Sequence, residues 1–454
     1  MVKKHGKTVA TTAALLALAL LICLWGCGDG RRDGLTLILI SPHNENIQRE
    51  FGDAFSAWHE TNFGAPVRLE WRDVGGGTSA IVQYLRNVYA RSDSAGIDIL
   101  WGGGEQVFTA LASEGVFTPI SFIAGQDDIL SQIPETFGGM RLRDENLLWC
   151  GSALSGFGFL YNKTVLDLRQ LPYPAVWRDL GHDQMFGLLA LADPTQSGSA
   201  AAAYEMIVQS EGSWPTGWKR LMLVLGNAGR FYDSAGDAAN APVAGEAAVA
   251  TCIDFYGAVR VRKSPDALVY ISPAGETAYS PDPIAMLKNP PSLDLAKRFT
   301  GFVLSKQGQA LWAVRPGEPG GPVREPLGRQ PIRRDVYDIH AGKMSPWISN
   351  PYQTGKQMTL DVAMKQSRAE ALKVLIRCAA VDNLPELKKA RKKIMGLPAG
   401  HPAVKAFGQL PPEVADAETL RLLAEQLKDP GEAEKIISRW QTFFRNQYKT
   451  VNEQ

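Results

Sequence analysis

Three short loops in this 454-residue chain carry residue types suited to holding an anion. They are Gly77-Thr78-Ser79, Gly104-Glu105-Gln106 and Ser197-Gly198-Ser199, and each opens a predicted helix. The first turn of a helix has unpaired N–H groups and a partial positive charge, so a negative ligand is stabilised there. In the third loop Gly198 lets backbone approach a ligand, while Ser197 and Ser199 add two hydroxyl donors. Each loop also reads as an ordinary helix cap, with Glu105 a carboxylate favoured by the helix dipole. Motifs for other chemistries are missing: there is no H-E-x-x-H, G-x-S-x-G, P-loop or complete G-x-G-x-x-G. Six scattered histidines include none that stands with Ser or Cys in a recognisable signature. The chemistry expected is binding without turnover.

The elements that must position these loops follow from hydrophobic periodicity. Leu35–Ile40 is an apolar run of strand length, and Ile47, Phe51, Phe55 and Trp58 then share one face of a predicted helix. Val67–Trp71 and Ile97–Trp101 read as further strands, each running into a Gly-rich loop and a helix. That β-α-β-α-β-α order predicts a parallel sheet, whose ligands bind at the strands' carboxyl ends. Leu147–Tyr161 introduces a second α/β unit, with a strand at Phe186–Ala192, helices from Ala200 and over Trp214–Gly226, and a short strand at Phe231-Tyr232. Gly245–Val249 is expected to begin a helix that reaches Cys252–Tyr256, and Leu268–Ser272 to be the strand that returns the chain. The division expected is a tether over 1–34, a first lobe from 35–145 and 268–340, a second lobe over 146–267, and a helical extension over 341–454. Two chain crossings would form the hinge. In the extension, Asp429-Pro430-Gly431-Glu432 has the pattern of an N-cap followed by Pro at the first helical position.

Composition narrows the class further. Apolar residues make up 45% and charged residues 21%, as in folded globular domains, and 454 residues exceed one compact core. The net charge of +1 includes Lys3, Lys4 and Lys7; the rest of the chain carries about −2, which argues against a nucleic-acid partner. Those lysines precede the apolar stretch Val9–Trp25, whose most hydrophobic part is of signal-peptide length. The stretch ends in Leu24-Trp25-Gly26-Cys27, similar to a lipoprotein processing site, although Trp25 replaces the usual small residue. Lipidation of Cys27, or retention of the stretch as an uncleaved anchor, would tether an exported, periplasmic body to the membrane. Cys150 and Cys252 either pair or remain isolated buried thiols.

Residues 35–338 resemble the family 1 extracellular solute-binding proteins of bacterial ABC importers, nearest the ferric-iron-binding subgroup. The resemblance rests on Asp193–Ser199 before a helix, Gly245-Glu246 ahead of an aromatic pair, Leu293–Trp312, and Arg329-Gln330-Pro331-Ile332-Arg333-Arg334-Asp335-Val336. It implies a two-lobed α/β fold of the periplasmic-binding-protein (type II, venus-flytrap) kind, here with a helical C-terminal extension. It also implies a membrane permease as partner, no enzymatic activity, and a small anionic or metal-containing ligand held between the lobes. Carried over by position, it makes His43, Glu105 and Tyr256 metal ligands, with Gln106 beside Glu105; Thr78 and Ser79 remain candidates from their helix start, and water or Asp254 would complete a metal's shell. The synergistic anion falls on Ser197, Gly198 and Ser199. Fe(III) is implied as transported cargo, with no resident cofactor. Phe255 stands where the subgroup has a second tyrosine, which leaves open a phosphorylated, phosphonate or carboxylate organic solute, as other branches of the family bind.

Overall fold

The computed structural model of the protein describes residues 34–121, 125–353, 355 and 357–454. The leader and Cys27 lie outside the described residues. Leu35–Ile40 (β1) runs parallel to Val67–Arg72 (β2) and to Ile99–Trp101 (β3). The helices Glu45–Phe63 (α1), Thr78–Tyr89 (α2) and Glu105–Ser113 (α3) follow these strands in turn. In α1 the periodic residues Ile47, Phe51 and Phe55 are buried against the sheet, Phe51 and Phe55 completely. Truncating either phenylalanine to Ala would cost about 3–5 kcal/mol. Asn44 caps α1 by accepting from the Ile47 N–H, and Gly64 closes it in the left-handed conformation that glycine adopts without strain.

The strand Cys150–Asn162 (β4) joins the two halves of the molecule, and all 13 of its residues are buried. The second half adds Leu189–Ala192 (β5), the helices Gly198–Ser210 (α4) and Trp214–Gly226 (α5), and Ala228–Tyr232 (β6). Val249–Ile253 (β7), the helix Asp254–Lys263 (α6) and Leu268–Ile271 (β8) follow, then Tyr279–Leu287 (β9). Cys150–Gly156 pairs antiparallel with β9, whereas Phe157–Asn162 pairs with β7 and β8. The main path of the sheet is therefore β2-β1-β3-β9-β4-β7-β5-β6. The interior divides in the same place. One apolar cluster gathers Leu37, Phe51, Trp101, Phe299 and Trp312, and another gathers Phe159, Trp177, Tyr204, Trp218 and Val249.

Two expectations need correction. The segment after Gly245 is not the start of a helix: Gly245 ends a short one at φ 74°, and Val249–Ile253 is a buried strand between β4 and β5. The run Val-Ala-Thr-Cys-Ile, with β-branched residues at 249, 251 and 253, suits a sheet interior, and the helix begins only at Asp254. Nor does Leu268–Ile271 return the chain to the first half. It pairs with Phe159–Asn162 of β4, and the crossing back is made by β9.

The C-terminal helices are part of the second half's core rather than an appendage. After the helices Leu293–Leu304 (α7) and Lys306–Ala313 (α8), the chain crosses a third time, and the Met358 N–H donates to the Thr277 carbonyl. Val362–Ile376 (α9) then packs on α4, Leu384–Ile394 (α10) on α5, and Pro430–Glu453 (α11) on α10. Leu375, Leu387, Trp440 and Phe444 share one cluster with Trp218 and Tyr204. Arg368 of α9 and Glu205 of α4 form a buried ion pair at 2.6 Å, with the guanidinium 4.7 Å from the Trp214 ring centroid. As expected from its sequence, α11 is capped by Asp429, which accepts from the Glu432 N–H. Cys150, Cys252 and Cys378 are free buried thiols, so Cys150 and Cys252 do not pair.

Candidate functional site

The halves meet around a cleft of about 570 Å³ whose walls come from both. One wall carries Pro42, His43, Asn44, Thr78, Gly103 and Gly104, and the other carries Gly198, Ser199, Ile253, Phe255 and Tyr256. Ser155, Ser280, Asp282 and Arg329 form the floor where β4 crosses, with Ser280 opposite Ser155 in register. The starts of α1, α2, α3 and α4 therefore all contribute to one cavity. Each presents unpaired backbone N–H groups and the positive end of its dipole.

Close approach explains the run Gly102-Gly103-Gly104. All three have positive φ, at 89°, 119° and 90°, a conformation that side chains other than glycine rarely adopt. A Cβ at Gly102 would lie 2.8 Å from His43 Nε2, and one at Gly103 the same distance from the Thr78 methyl. The loop after β3 is thus compressed against both neighbouring loops.

The floor holds a buried charge cluster. His43 Nε2 lies 2.7 Å from Asp282 Oδ2, the Gly103 N–H donates to Asp282 Oδ1 at 3.1 Å, and Arg329 Nη1 pairs with Asp282 Oδ2. Burial alone would raise the Asp282 pKa. The Arg329 charge, aided by His43 and the Gly103 N–H, outweighs it and holds the carboxyl well below the usual range. Burial lowers the His43 pKa despite Asp282, so the ring is neutral near pH 7 and its Nε2–H donates to the carboxylate. The Arg329 guanidinium also lies 4.5 Å from the Phe255 ring centroid. Among the described residues no acceptor is bonded to its Nε or Nη2, so those donors remain for a ligand.

The residues expected at the site separate into groups. His43, Thr78, Gly198, Ser199 and Tyr256 line the cleft. Ser197 is spent locally: its Oγ accepts from the Ala200 and Ala235 N–H groups, capping α4 and tying it to the next loop. Asp254 is turned away, its carboxylate accepting from the Gly156 and Phe255 N–H groups. Burial raises its pKa to about 7 against those bonds and the charge of Arg329. Glu105 does not line the cleft; it accepts from the Thr109 hydroxyl within its own helix, as a helix-start carboxylate does. Gln106 faces a smaller adjoining cavity, and Ser79 is exposed. His43, Glu105 and Tyr256 are therefore not gathered as one ligand set. Among the described residues no group of three or more His, Cys, Asp or Glu is placed to hold a metal ion.

Arg329 and Asp282 are the functional candidates that the sequence reading missed. Asp282 had a signal, being a lone acid between Pro281 and Pro283 in a strand with no other charged residue. Arg329 stood inside a recognised stretch, but its partner is 47 positions away in the chain.

Comparison with known proteins agrees with this fold. A 26% identical relative, the phosphoglycerate transport regulatory protein PgtC of Salmonella typhimurium, aligns over 65% of this chain and 70% of its own length. The periplasmic binding protein AfuA of Actinobacillus pleuropneumoniae, solved with exogenous fructose-6-phosphate, superposes with TM-score 0.53 and 17% identity, over 81% of this chain and all of AfuA. Iron-bound HitA of Pseudomonas aeruginosa gives TM-score 0.52 and 18% identity, over 75% of this chain and 98% of HitA. Among the described residues no helix is long and apolar enough to cross a membrane. A family model matches residues 95–347, more than half of the sequence, and the chain belongs to the bacterial extracellular solute-binding protein family.

Proposed function

We propose that the protein is the solute-binding component of an ABC importer and captures a small phosphorylated organic anion in the cleft between its halves. The observation that carries this reading is the convergence of four helix starts on one cavity with a half-satisfied, buried arginine at its floor. A phosphate has three acceptor oxygens and up to two negative charges, which suit helix N-termini and the free N–H groups of a guanidinium. Asp282 balances the Arg329 charge, and His43 orients Asp282. Tyr256, Phe255 and Ile253 offer apolar and hydroxyl surface to the organic part. The likeness to a protein named for phosphoglycerate transport, and to a binding protein solved with fructose-6-phosphate, supports the same ligand class. Closure of one half on the other would follow from contacts that only the bound ligand makes to both. The closed form then docks on a permease, and no reaction is catalysed. A lipid on Cys27 would keep the protein at the membrane.

Ferric iron is a second reading, supported by His43 and Tyr256 lining the same cleft and by likeness to iron-bound HitA. His43 could reach a metal only through Nδ1, since Nε2 is engaged by Asp282, and the metal would sit near the Arg329 cation, a repulsive arrangement. Isothermal titration with 3-phosphoglycerate, fructose-6-phosphate, inorganic phosphate and ferric citrate separates the two. The organic phosphates should bind, and ferric citrate should give neither heat nor a tyrosinate charge-transfer band. A coloured ferric complex lost in Tyr256→Phe would favour iron instead.

A further inference from the structure

Beside the main cleft, and sharing Gly198 with it, lies a smaller cavity bounded by three parts of the chain. Gln106 comes from the first half, Pro194 and Glu205 from the second, and Lys365 and Lys373 from the C-terminal helix α9. Two charges in the elements that bound it make no ion pair among the described residues. Glu105, next to Gln106 in α3, is buried and accepts a hydrogen bond from the Thr109 hydroxyl. Lys365 is half-buried, and among the described residues neither group makes an ion pair within 4 Å. The other carboxylate that faces Lys365, Glu205, is already held by Arg368 and Gln209. Burial lowers the Lys365 pKa, and the charges of Glu105 and Glu205 oppose that shift, as for an ammonium set near two carboxylates. Glu105 is not itself in the cavity wall, but its neighbour Gln106 is, so a buried carboxylate and a half-buried ammonium lie on opposite sides of one gap and gain when it closes, because each then offsets the other's desolvation.

We propose that the C-terminal helices act as a latch on the closed form, in which Lys365 of α9 reaches across the gap and pairs with Glu105 at the start of α3. This rests on the solute-binding reading, since it is closure on a ligand that would bring the two together. The helices that complete the second half's core thus also stabilise the closed state. Glu105 becomes a positioning residue that holds the halves together rather than a ligand to the solute.

The test uses the full chain. In the E105C/K365C double variant a disulfide should form under mild oxidant, whereas E105C with a cysteine in place of exposed Lys389 should not cross-link. Failure of E105C/K365C to cross-link, with or without 3-phosphoglycerate, overturns the latch without bearing on the ligand. Lys365→Met should weaken 3-phosphoglycerate binding about tenfold through faster release, and the K365E/E105K exchange should recover most of it. Equal loss in the exchanged and single variants would also overturn the proposal. If 3-phosphoglycerate does not bind at all, the ligand assignment fails while the cross-linking arm still decides the latch.

Discussion

Replacing Arg329 by Met keeps an unbranched stem but removes the guanidinium and its charge, and two separable effects should follow. The first is on stability. Arg329 and Asp282 are each less than a tenth exposed, so the variant leaves a buried carboxylate supported only by His43 and the Gly103 N–H. Breaking one side of a buried pair costs about 3–5 kcal/mol. The Asp282 pKa should rise as well, because the Arg329 charge is the strongest influence holding it down. The second effect is on binding. A charge-assisted hydrogen bond to a phosphate is worth roughly 1.5–3 kcal/mol, or about 10–150-fold in Kd. The double variant R329M/D282N separates the two, because it removes the stranded charge and should recover most of the lost stability, yet binding should remain weak. Chemical denaturation and calorimetry with 3-phosphoglycerate read both quantities. Wild-type affinity in the stable double variant would refute the assignment of Arg329 to the ligand.

Other expectations follow from neighbouring contacts. Asp254, with a folded pKa near 7 against an ordinary 3.8, binds its proton more tightly when folded, so stability should fall as pH rises between about 4 and 7. The slope can reach about 1.4 kcal/mol per pH unit, and denaturation of Asp254→Asn beside wild type from pH 5 to 8 should show it flattened. Ser197→Ala should cost about 0.5–2 kcal/mol of stability through the lost cap and the lost tie to Ala235. By contrast, Ser199→Ala should weaken ligand binding with little change in melting temperature. Removing residues 346–454 should leave the second half molten, since Trp440, Phe444 and Leu375 fill its core; near-UV circular dichroism would report the loss.

Much of the fold could be read from periodicity because its strands are short apolar runs that end in Gly-rich loops. Leu35–Ile40 and the helix face of Ile47, Phe51 and Phe55 are examples where local pattern and final burial agree. The pattern was ambiguous where a strand is buried on both faces: Val249–Ile253 has no polar alternation to distinguish it from a helix. The site was partly legible for the same reason. Helix starts announce themselves through Gly, Ser and Thr, and Thr78, Gly198 and Ser199 do line the cleft. A side chain's direction is a tertiary property, which is why Ser197 and Asp254 lie near the cleft yet turn to backbone amides instead. The Arg329–Asp282 pair depends on β9 and the 329 loop meeting at β4, a juxtaposition that no local spacing encodes.

The central claim is that this cleft is built for an organic anion carrying phosphate. Native mass spectrometry of the protein isolated from its own cell envelope tests it most directly, because a trapped ligand is weighed without prior choice of candidates. An adduct that is released on denaturation and fragments to phosphate is expected. Release of a ferric ion, or of an uncharged solute, would contradict it.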